Sequence, residues 1–275
     1  MPGCKNDQAS QHGYYTEGGN TNTNTTTTLE SCAHQVIADP SQRWLYITDR
    51  CADKIHRLKL ADSINDIAIV DETVLPRGSG PRHLTFWLNT RTGATFAYLV
   101  SEQAVTLTAF QVTANGCLHP IGQPQVAIPR AISSDNRTTS EVAVAPDGRF
   151  VYVATRGDEV EDHVSIFARD REHGDVKFRS WVQSGGRHLR HVSVAPYAIP
   201  MTLLHFIDIC SVSTPRQFSL SPDADARYLA AAHRDTENVT ILKRDPDTGH
   251  LTKTSASAEQ VGPVLFAGFV LGPSH

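Results

Sequence analysis

Apolar and polar residues alternate in short runs through most of the chain, and turn residues separate the runs. VIADPSQRWLYITD, from Val36, and VAVAPDGRFVYVAT, from Val142, each hold two such runs around a turn rich in Pro, Asp, Ser or Gly. A period of two over four to eight residues predicts half-buried β-strands, and hardly any 3.6-residue periodicity is present. The pattern therefore predicts an all-β fold.

The same strand–turn–strand sequence pattern occurs four times. The repeats begin near His34, Arg82, Glu141 and Arg216, and each reads as three short strands followed by a looser fourth. Four strands in roughly 40–50 residues are typical of a β-propeller blade. A two-sheet sandwich also has evenly spaced strands, but it would not repeat one text four times. The repeats therefore favour an incomplete β-propeller of about four to five blades over residues 33–275.

Composition and charge bear on the N-terminal segment, on the possible partners and on the location of the protein. Residues 1–32 are polar and include the tract NTNTNTTTT, so we expect a disordered leader. The formal net charge of −4 shows no basic bias, and we expect no nucleic-acid partner. No apolar run reaches the roughly 20 residues that span a bilayer, and no secretory signal is visible. These features predict a cytoplasmic protein without a membrane partner.

The chain has five cysteines, and their spacing is irregular. They are Cys4, Cys32, Cys51, Cys117 and Cys210. An odd number without a C-x-x-C pair argues against both a disulfide scaffold and a zinc site. We therefore expect reduced cysteines and no metal.

The interval between the third and fourth repeats is longer than the one before it. The excess is HLRHVSVAPYAIPMTLLHFIDICSVS, residues 188–213, and its removal would restore the blade length. Two prolines, Pro196 and Pro200, disfavour a regular helix or a central strand there. We expect an atypical insertion or translated non-coding sequence that packs poorly and whose removal leaves Arg187 and Thr214 close together.

Three segments carry a family resemblance. GSGPRHLTF, SEVAVAPDGRFVYVATRG and TPRQFSLSPDADARYLAAAHRDTENVTILKRDPDTGHLT resemble the lactonase family of seven-bladed β-propellers. That family includes the propeller type of 6-phosphogluconolactonase and the fungal carboxymuconate cyclase. The resemblance covers about residues 33–187 and 214–270. It implies the C-terminal blades of such a propeller, whose open sheet edges favour self-association.

The resemblance also implies an active site. In a propeller the innermost strand of each blade lines the central channel, so residues at matching places in successive blades can meet. The implied catalytic set is His34, Arg82, Glu102 and Arg156. Three further residues at similar places are expected to bind substrate: Glu141, Arg216 and His233. His83 is left out because adjacent residues on a strand face opposite ways.

These residue types suit a lactone or muconate that carries a carboxylate or phosphate. Arginine binds such anions through a planar fork and stabilises the oxyanion that forms at a lactone carbonyl. Glu102 or His34 can transfer a proton, and no cofactor is needed. Structural interpretations remain open, since Glu102 and Arg156 can form a simple ion pair and His34 can be a hydrogen-bonded strand residue.

The leading hypothesis is a hydrolase that opens a sugar-acid lactone such as 6-phosphogluconolactone. An isomerase that closes a muconate into a lactone would use the same arginines and a proton donor. A propeller without catalytic activity is the third possibility, because propellers host many functions.

Overall fold

The computed structural model describes residues 31–60, 68–193 and 226–260, and every regular element in these ranges is a β-strand. The strands form four sheets of four. They are β1 (Ala33–Ala38), β2 (Trp44–Asp49), β3 (Lys54–Lys59), β4 (Ala68–Val74), β5 (Pro81–Leu88), β6 (Thr95–Ser101), β7 (Thr106–Val112), β8 (Leu118–Val126), β9 (Thr138–Val144), β10 (Phe150–Arg156), β11 (His163–Arg169), β12 (Val176–Gln183), β13 (Leu189–Ser193), β14 (Tyr228–His233), β15 (Asn238–Arg244) and β16 (Leu251–Ala258). The all-β prediction is confirmed.

Each sheet is an antiparallel meander whose strand order follows the chain. Neighbouring sheets meet through their first strands, because β1 contacts β5, β5 contacts β9, and β9 contacts β13. The four sheets are therefore successive blades of a propeller, with β1, β5, β9 and β13 innermost. No helix in the described ranges is long and apolar enough to cross a membrane.

One polar contact repeats between neighbouring blades. A tyrosine in the second strand of one blade donates a hydrogen bond to a glycine carbonyl in the outer turn of the next. The pairs are Tyr46 with Gly116 (2.6 Å), Tyr98 with Gly174 (2.9 Å) and Tyr152 with Gly249 (2.9 Å). Buried apolar clusters surround these contacts, so each blade is fixed to its neighbour by packing and by a satisfied hydroxyl.

A disulfide joins Cys32 and Cys51, and Cys117 is disulfide-bonded as well, so the prediction of reduced cysteines is wrong for these three residues. Cys32 precedes β1 and Cys51 follows β2. Because the two strands pair from Ala33 with Asp49, the hairpin places the Cα atoms 5.1 Å apart, within disulfide range. The absence of a C-x-x-C pair does not exclude a disulfide, because strand pairing can bring together cysteines that are distant in sequence.

The fourth blade begins earlier than predicted. Leu189–Ser193 is β13 and pairs with β14, so the prediction of an insertion is wrong for this part of 188–213. LRHVS repeats the pattern of PRHLT at the start of β5, and it takes the corresponding innermost position. Residues 194–213, Arg216 and the predicted leader up to residue 30 lie outside the described ranges.

Candidate active site

Glu102 lies at the centre of a cluster of arginines from three blades. Its Oε2 atom is 3.0 Å from Nη1 of Arg50 and 3.5 Å from Nε of Arg82, and its Oε1 atom accepts a hydrogen bond from Nη2 of Arg156. Arg50 follows β2, Glu102 follows β6, and Arg156 ends β10. The three residues therefore stand at the same end of the second strand in successive blades.

The turn that carries Glu102 is held by its backbone. The Glu102 N–H donates to the carbonyl of Gly80 at 2.7 Å, and the Glu102 carbonyl accepts from the N–H of Thr139 at 3.3 Å. These bonds connect the turn to the residue before β5 and to β9 in the next blade. The carboxylate is thus fixed at the junction of the second and third blades.

Glu102 is ionised at neutral pH. Burial by itself would raise the pKa of its carboxyl group, but Arg82, Arg156 and Arg50 together lower that pKa below its ordinary value. Glu102 is 9% exposed, so these charges act with little solvent screening. A carboxylate with a lowered pKa is a weak proton acceptor, and its main effect here is to orient the arginines.

Arg82 is almost completely buried, with 2% of its surface exposed. It donates from Nη1 to the carbonyl of Ser140, while its own carbonyl accepts hydrogen bonds from Nδ1 of His34 (3.0 Å) and the hydroxyl of Thr48 (2.8 Å). Contacts therefore link Arg82 to Glu102 and Glu102 to Arg156 through their side chains, and His34 to Arg82 through the Arg82 backbone carbonyl. The catalytic roles themselves remain a prediction.

A cleft of about 460 Å³ opens beside Glu102 and Arg156. Its charged and titratable lining residues are Glu102, Arg156, Asp158, Glu159, Asp162, Arg187, His188 and Asp235, and the hydroxyl-bearing Thr138 also lines it. The Arg156 guanidinium binds Glu102 through Nη2, and its Nε atom donates a second hydrogen bond to the hydroxyl of Thr138 at 3.1 Å. His34 and Arg82 are not among the lining residues, so direct contact of these two residues with a substrate in this cleft is not supported.

Glu141 and His83 form a buried pair beneath the site. Nδ1 of His83 is hydrogen-bonded to Oε1 of Glu141, and the two residues are 1% and 3% exposed. The prediction that Glu141 contacts substrate is therefore not supported, because its carboxylate is enclosed. The β5–β6 register shifts between Pro81 and His83, which interrupts the alternation that had excluded His83. The His34 and His83 rings lie 5.0 Å apart.

His233 does not reach the cleft surface, which corrects its predicted role in substrate binding. It has no exposed surface, and its Nε2 atom is 2.9 Å from the hydroxyl of Ser184. Its position at the end of β14, where the strand is covered by the preceding blade, explains the burial. Arg50, His188 and Asp235 are the site residues that the sequence interpretation missed.

The burial of His233 gives a pH-dependent stability. Burial lowers the pKa of its imidazole from 6.5 to about 4, so between these values the unfolded chain binds the proton and the folded chain does not. The free energy of unfolding is expected to fall by about 3 kcal/mol from pH 6.5 to pH 4. Urea denaturation of His233→Gln across this range is expected to show a flatter slope. A variant that keeps the wild-type slope would assign the acid sensitivity to other groups.

The fold and the site together define a class of protein: a β-propeller with an arginine–carboxylate cluster where three of its blades meet. The family described as "Lactonase, 7-bladed beta-propeller" matches residues 5–199 and 190–267, and the chain belongs to this family. Four blades are described here, all of the four-stranded kind that propellers share.

Two curated relatives and one solved structure show what the chain is similar to. A 6-phosphogluconolactonase of Bacillus subtilis is 25% identical over 231 residues, 84% of this chain and 55% of the relative. The 6-phosphogluconolactonase of Formosa agariphila is 25% identical over 213 residues, 76% and 50% of the two chains. The solved periplasmic gluconolactonase of Pseudomonas aeruginosa shares the fold, with a TM-score of 0.66, 24% identity and coverage of 85% and 55%. This chain thus spans about half the length of the relatives it matches.

Proposed function

We propose that this chain hydrolyses a small anionic lactone of the 6-phosphogluconolactone type. The observation that carries the proposal is that the Arg156 guanidinium, held by Glu102 and Thr138, lines the cleft. The names of the two curated relatives, both 6-phosphogluconolactonases, support the same substrate class.

Positive charge in the cleft comes from the arginine cluster at Glu102. Three arginines surround this one ionised carboxylate, so the cluster itself keeps a positive charge, while the cleft wall also carries the carboxyl groups of Asp158, Glu159, Asp162 and Asp235. Arg156 has a planar fork that fits a carboxylate, a phosphate or the oxyanion of a tetrahedral intermediate. Arg187, an exposed residue that also lines the cleft, supplies a second cation for the substrate's anionic group.

Arg156→Ala is expected to lower kcat/KM for 6-phosphogluconolactone hydrolysis by about 100-fold or more, because it removes the cation that stabilises the oxyanion. The assay measures acid release from freshly prepared lactone, corrected for the spontaneous reaction. Arg149→Ala is the matched control, since Arg149 lies just before the other end of β10 and pairs with Asp247. Arg156→Lys separates charge from fork geometry.

Equal activity of Arg156→Ala and Arg149→Ala would remove Arg156 from the mechanism. Turnover of carboxymuconate by the wild type, without lactone hydrolysis, would favour the isomerase. Specific binding of a lactone without turnover would favour a binding propeller.

Two further expectations stay predictions: self-association through open sheet edges and a cytoplasmic location. The Cys32–Cys51 disulfide is more typical of a protein in an oxidising compartment.

A further inference from the structure

Another cleft, of about 470 Å³, lies between the third and fourth blades, and its volume is in the range of small-ligand pockets. Among the described residues, four arginines and one carboxylate line it, so we call it the arginine cleft. Phe150 at the start of β10 lines this cleft, and Arg156 at the end of β10 lines the cleft described above. The length of the strand separates the two clefts by roughly 20 Å. The arginine cleft is therefore a separate feature of the surface.

Two of the four arginines are already bonded to protein groups. Arg149 lies with Nη1 3.2 Å from Oδ1 of Asp247, the carboxylate of this cleft, and donates from Nη2 to the Asp247 carbonyl at 2.7 Å. Arg169 is 5% exposed, and it donates to the hydroxyl of Tyr98 from Nε and to the carbonyl of Gly148 from Nη1. Arg149 therefore neutralises Asp247, and Arg169 connects the third blade to the second.

The other two arginines, Arg171 and Arg179, are exposed and line the same cleft. Within the part of the chain that the structure describes, no carboxylate forms an ion pair with either of them. The acidic residues of the two adjoining turns are used by those turns. Asp170 accepts hydrogen bonds from two backbone N–H groups at 2.9 and 2.7 Å, and Asp245 does so at 2.8 and 3.0 Å. Both guanidinium groups are therefore accessible to an anion from solvent.

The fold itself does not call for this pair of arginines. The third and fourth strands of three blades begin their pairing alike, with the pairs Val112 and Leu118, Arg169 and Val176, and Arg244 and Leu251. Two residues after the first member of each pair stand Ala114, Arg171 and Pro246, and three residues after the second stand Ile121, Arg179 and Thr254. Contacts that build a blade recur between blades, as the tyrosine–glycine bonds do. A pair of cations in the third blade, absent from the second and fourth, points instead to a ligand.

A β-bulge sets the position of Arg179. Ile166 pairs with Ser180 and Phe167 pairs with Phe178, which leaves Arg179 as the extra residue of β12. Bulges of this kind re-aim side chains. Phe178 packs edge-on against Phe167, with ring centroids 5.5 Å apart, in the apolar cluster shared with the second blade. Arg179 lines the cleft on the side of the fourth blade, so the bulge separates its role from that of the packed residue before it.

We propose that the arginine cleft binds a phosphate dianion, either as free phosphate or as the phosphate group of a small phosphomonoester. A phosphomonoester carries a charge of about −1.5 to −2 at pH 7, which the two guanidinium groups of Arg171 and Arg179 match. Each guanidinium fork can donate two parallel hydrogen bonds to phosphate oxygens. Phe150 and Ala168 supply an apolar wall for the organic part of an ester. The inference is independent of the proposed lactone hydrolysis, because these four residues lie outside the cleft beside Arg156.

The test is isothermal titration calorimetry at neutral pH and low salt with inorganic phosphate, phenyl phosphate and phenyl sulfate. Arg171→Gln and Arg179→Gln are each expected to weaken the binding of phenyl phosphate about 10-fold or more, because each removes charge-assisted hydrogen bonds. Phenyl sulfate has a similar shape and one charge fewer, and it is expected to bind about 5-fold more weakly. Tighter binding of phenyl phosphate than of inorganic phosphate identifies an ester as the ligand, and equal binding identifies free phosphate. Arg91→Gln is the control, since Arg91 is an exposed arginine outside both clefts.

Arg187→Gln separates this site from the cleft beside Arg156, which Arg187 lines. Loss of phosphate binding in Arg187→Gln, with wild-type affinity in Arg171→Gln and Arg179→Gln, would overturn the proposal. An equal loss in Arg91→Gln would assign the binding to general surface charge and overturn it as well, and so would a wild type that binds neither phosphate compound.

Chemical labelling of the wild type gives a measurement that does not depend on the folding of a variant. Phenylglyoxal modifies accessible arginines, and peptide mass spectrometry follows each site separately. Phenyl phosphate is expected to slow the labelling of Arg171 and Arg179 and to leave that of Arg91 unchanged. Labelling rates at Arg171 and Arg179 that do not respond to phenyl phosphate would contradict the proposed site.

Discussion

Replacing Glu102 by glutamine is expected to lower the free energy of unfolding at neutral pH by about 3 kcal/mol. The variant leaves Arg82 and Arg156, which are 2% and 8% exposed, without their shared carboxylate. Removing one member of a buried ion pair is costly because the remaining charge stays out of water. Equilibrium denaturation in urea at pH 7 measures the change.

Glu72→Gln is the matched control. Glu72 also has two cationic partners, Lys54 at 2.7 Å and His56 at 3.0 Å, but its side chain is 36% exposed. A pair in contact with solvent contributes at most about 1 kcal/mol. If both variants lost the same small amount, the arginine cluster would not depend on Glu102, and its role in orienting Arg156 would have to be abandoned.

Acidification gives an independent check of the same residue. Because the folded-state pKa of Glu102 is lowered, the stability it contributes is present above the ordinary glutamate pKa and is lost as pH falls through the folded value. This loss begins at the lower end of the window in which His233 titrates and continues below it. The Glu102→Gln variant is therefore expected to lose the steep part of the acid transition at low pH, while the slope from His233 remains.

The sequence repeats predicted three of the four blade starts, because each blade has the same strand–turn–strand sequence pattern. The fourth start was misplaced because two segments, HLRHVSVAP and TPRQFSLSP, both fit the innermost position. Sequence alone favoured the second, which carries the Pro-Arg pair. The structure places Leu189–Ser193 there, where the Leu189 N–H meets the buried carboxylate of Asp162. That bond joins residues of two blades and has no signature in local sequence.

The site was predictable to the extent that it follows blade symmetry. Glu102 and Arg156 end or follow the second strand in successive blades, and Arg50 could have been found by the same rule, since it follows β2. His188 could not, because its position depends on a left-handed residue and on the identity of β13. The burial of Glu141 and His233 also depends on contacts between blades rather than on position within a repeat.

Gly174→Ala is expected to destabilise the propeller by about 3 kcal/mol, because two costs act at one residue. Gly174 has a φ of +81°, and a Cβ atom there would lie 2.3 Å from Cδ1 of Phe96 in the preceding blade. The Phe96 ring cannot move aside easily, since it is 2% exposed and Arg169 stacks on it at 4.6 Å. Any shift of the turn also strains the bond from the Tyr98 hydroxyl to the Gly174 carbonyl.

Gly93→Ala separates the two costs of the Gly174 substitution. Gly93 has a similar φ of +74°, but no atom lies within 4 Å of an added Cβ. This control therefore carries only the backbone cost, about 1 kcal/mol. The difference between the two variants, measured by urea denaturation, gives the contribution of the contact between blades. If Gly93→Ala and Gly174→Ala were equally destabilised, close packing of Gly174 against the Phe96 ring would contribute nothing to the contact between these two blades.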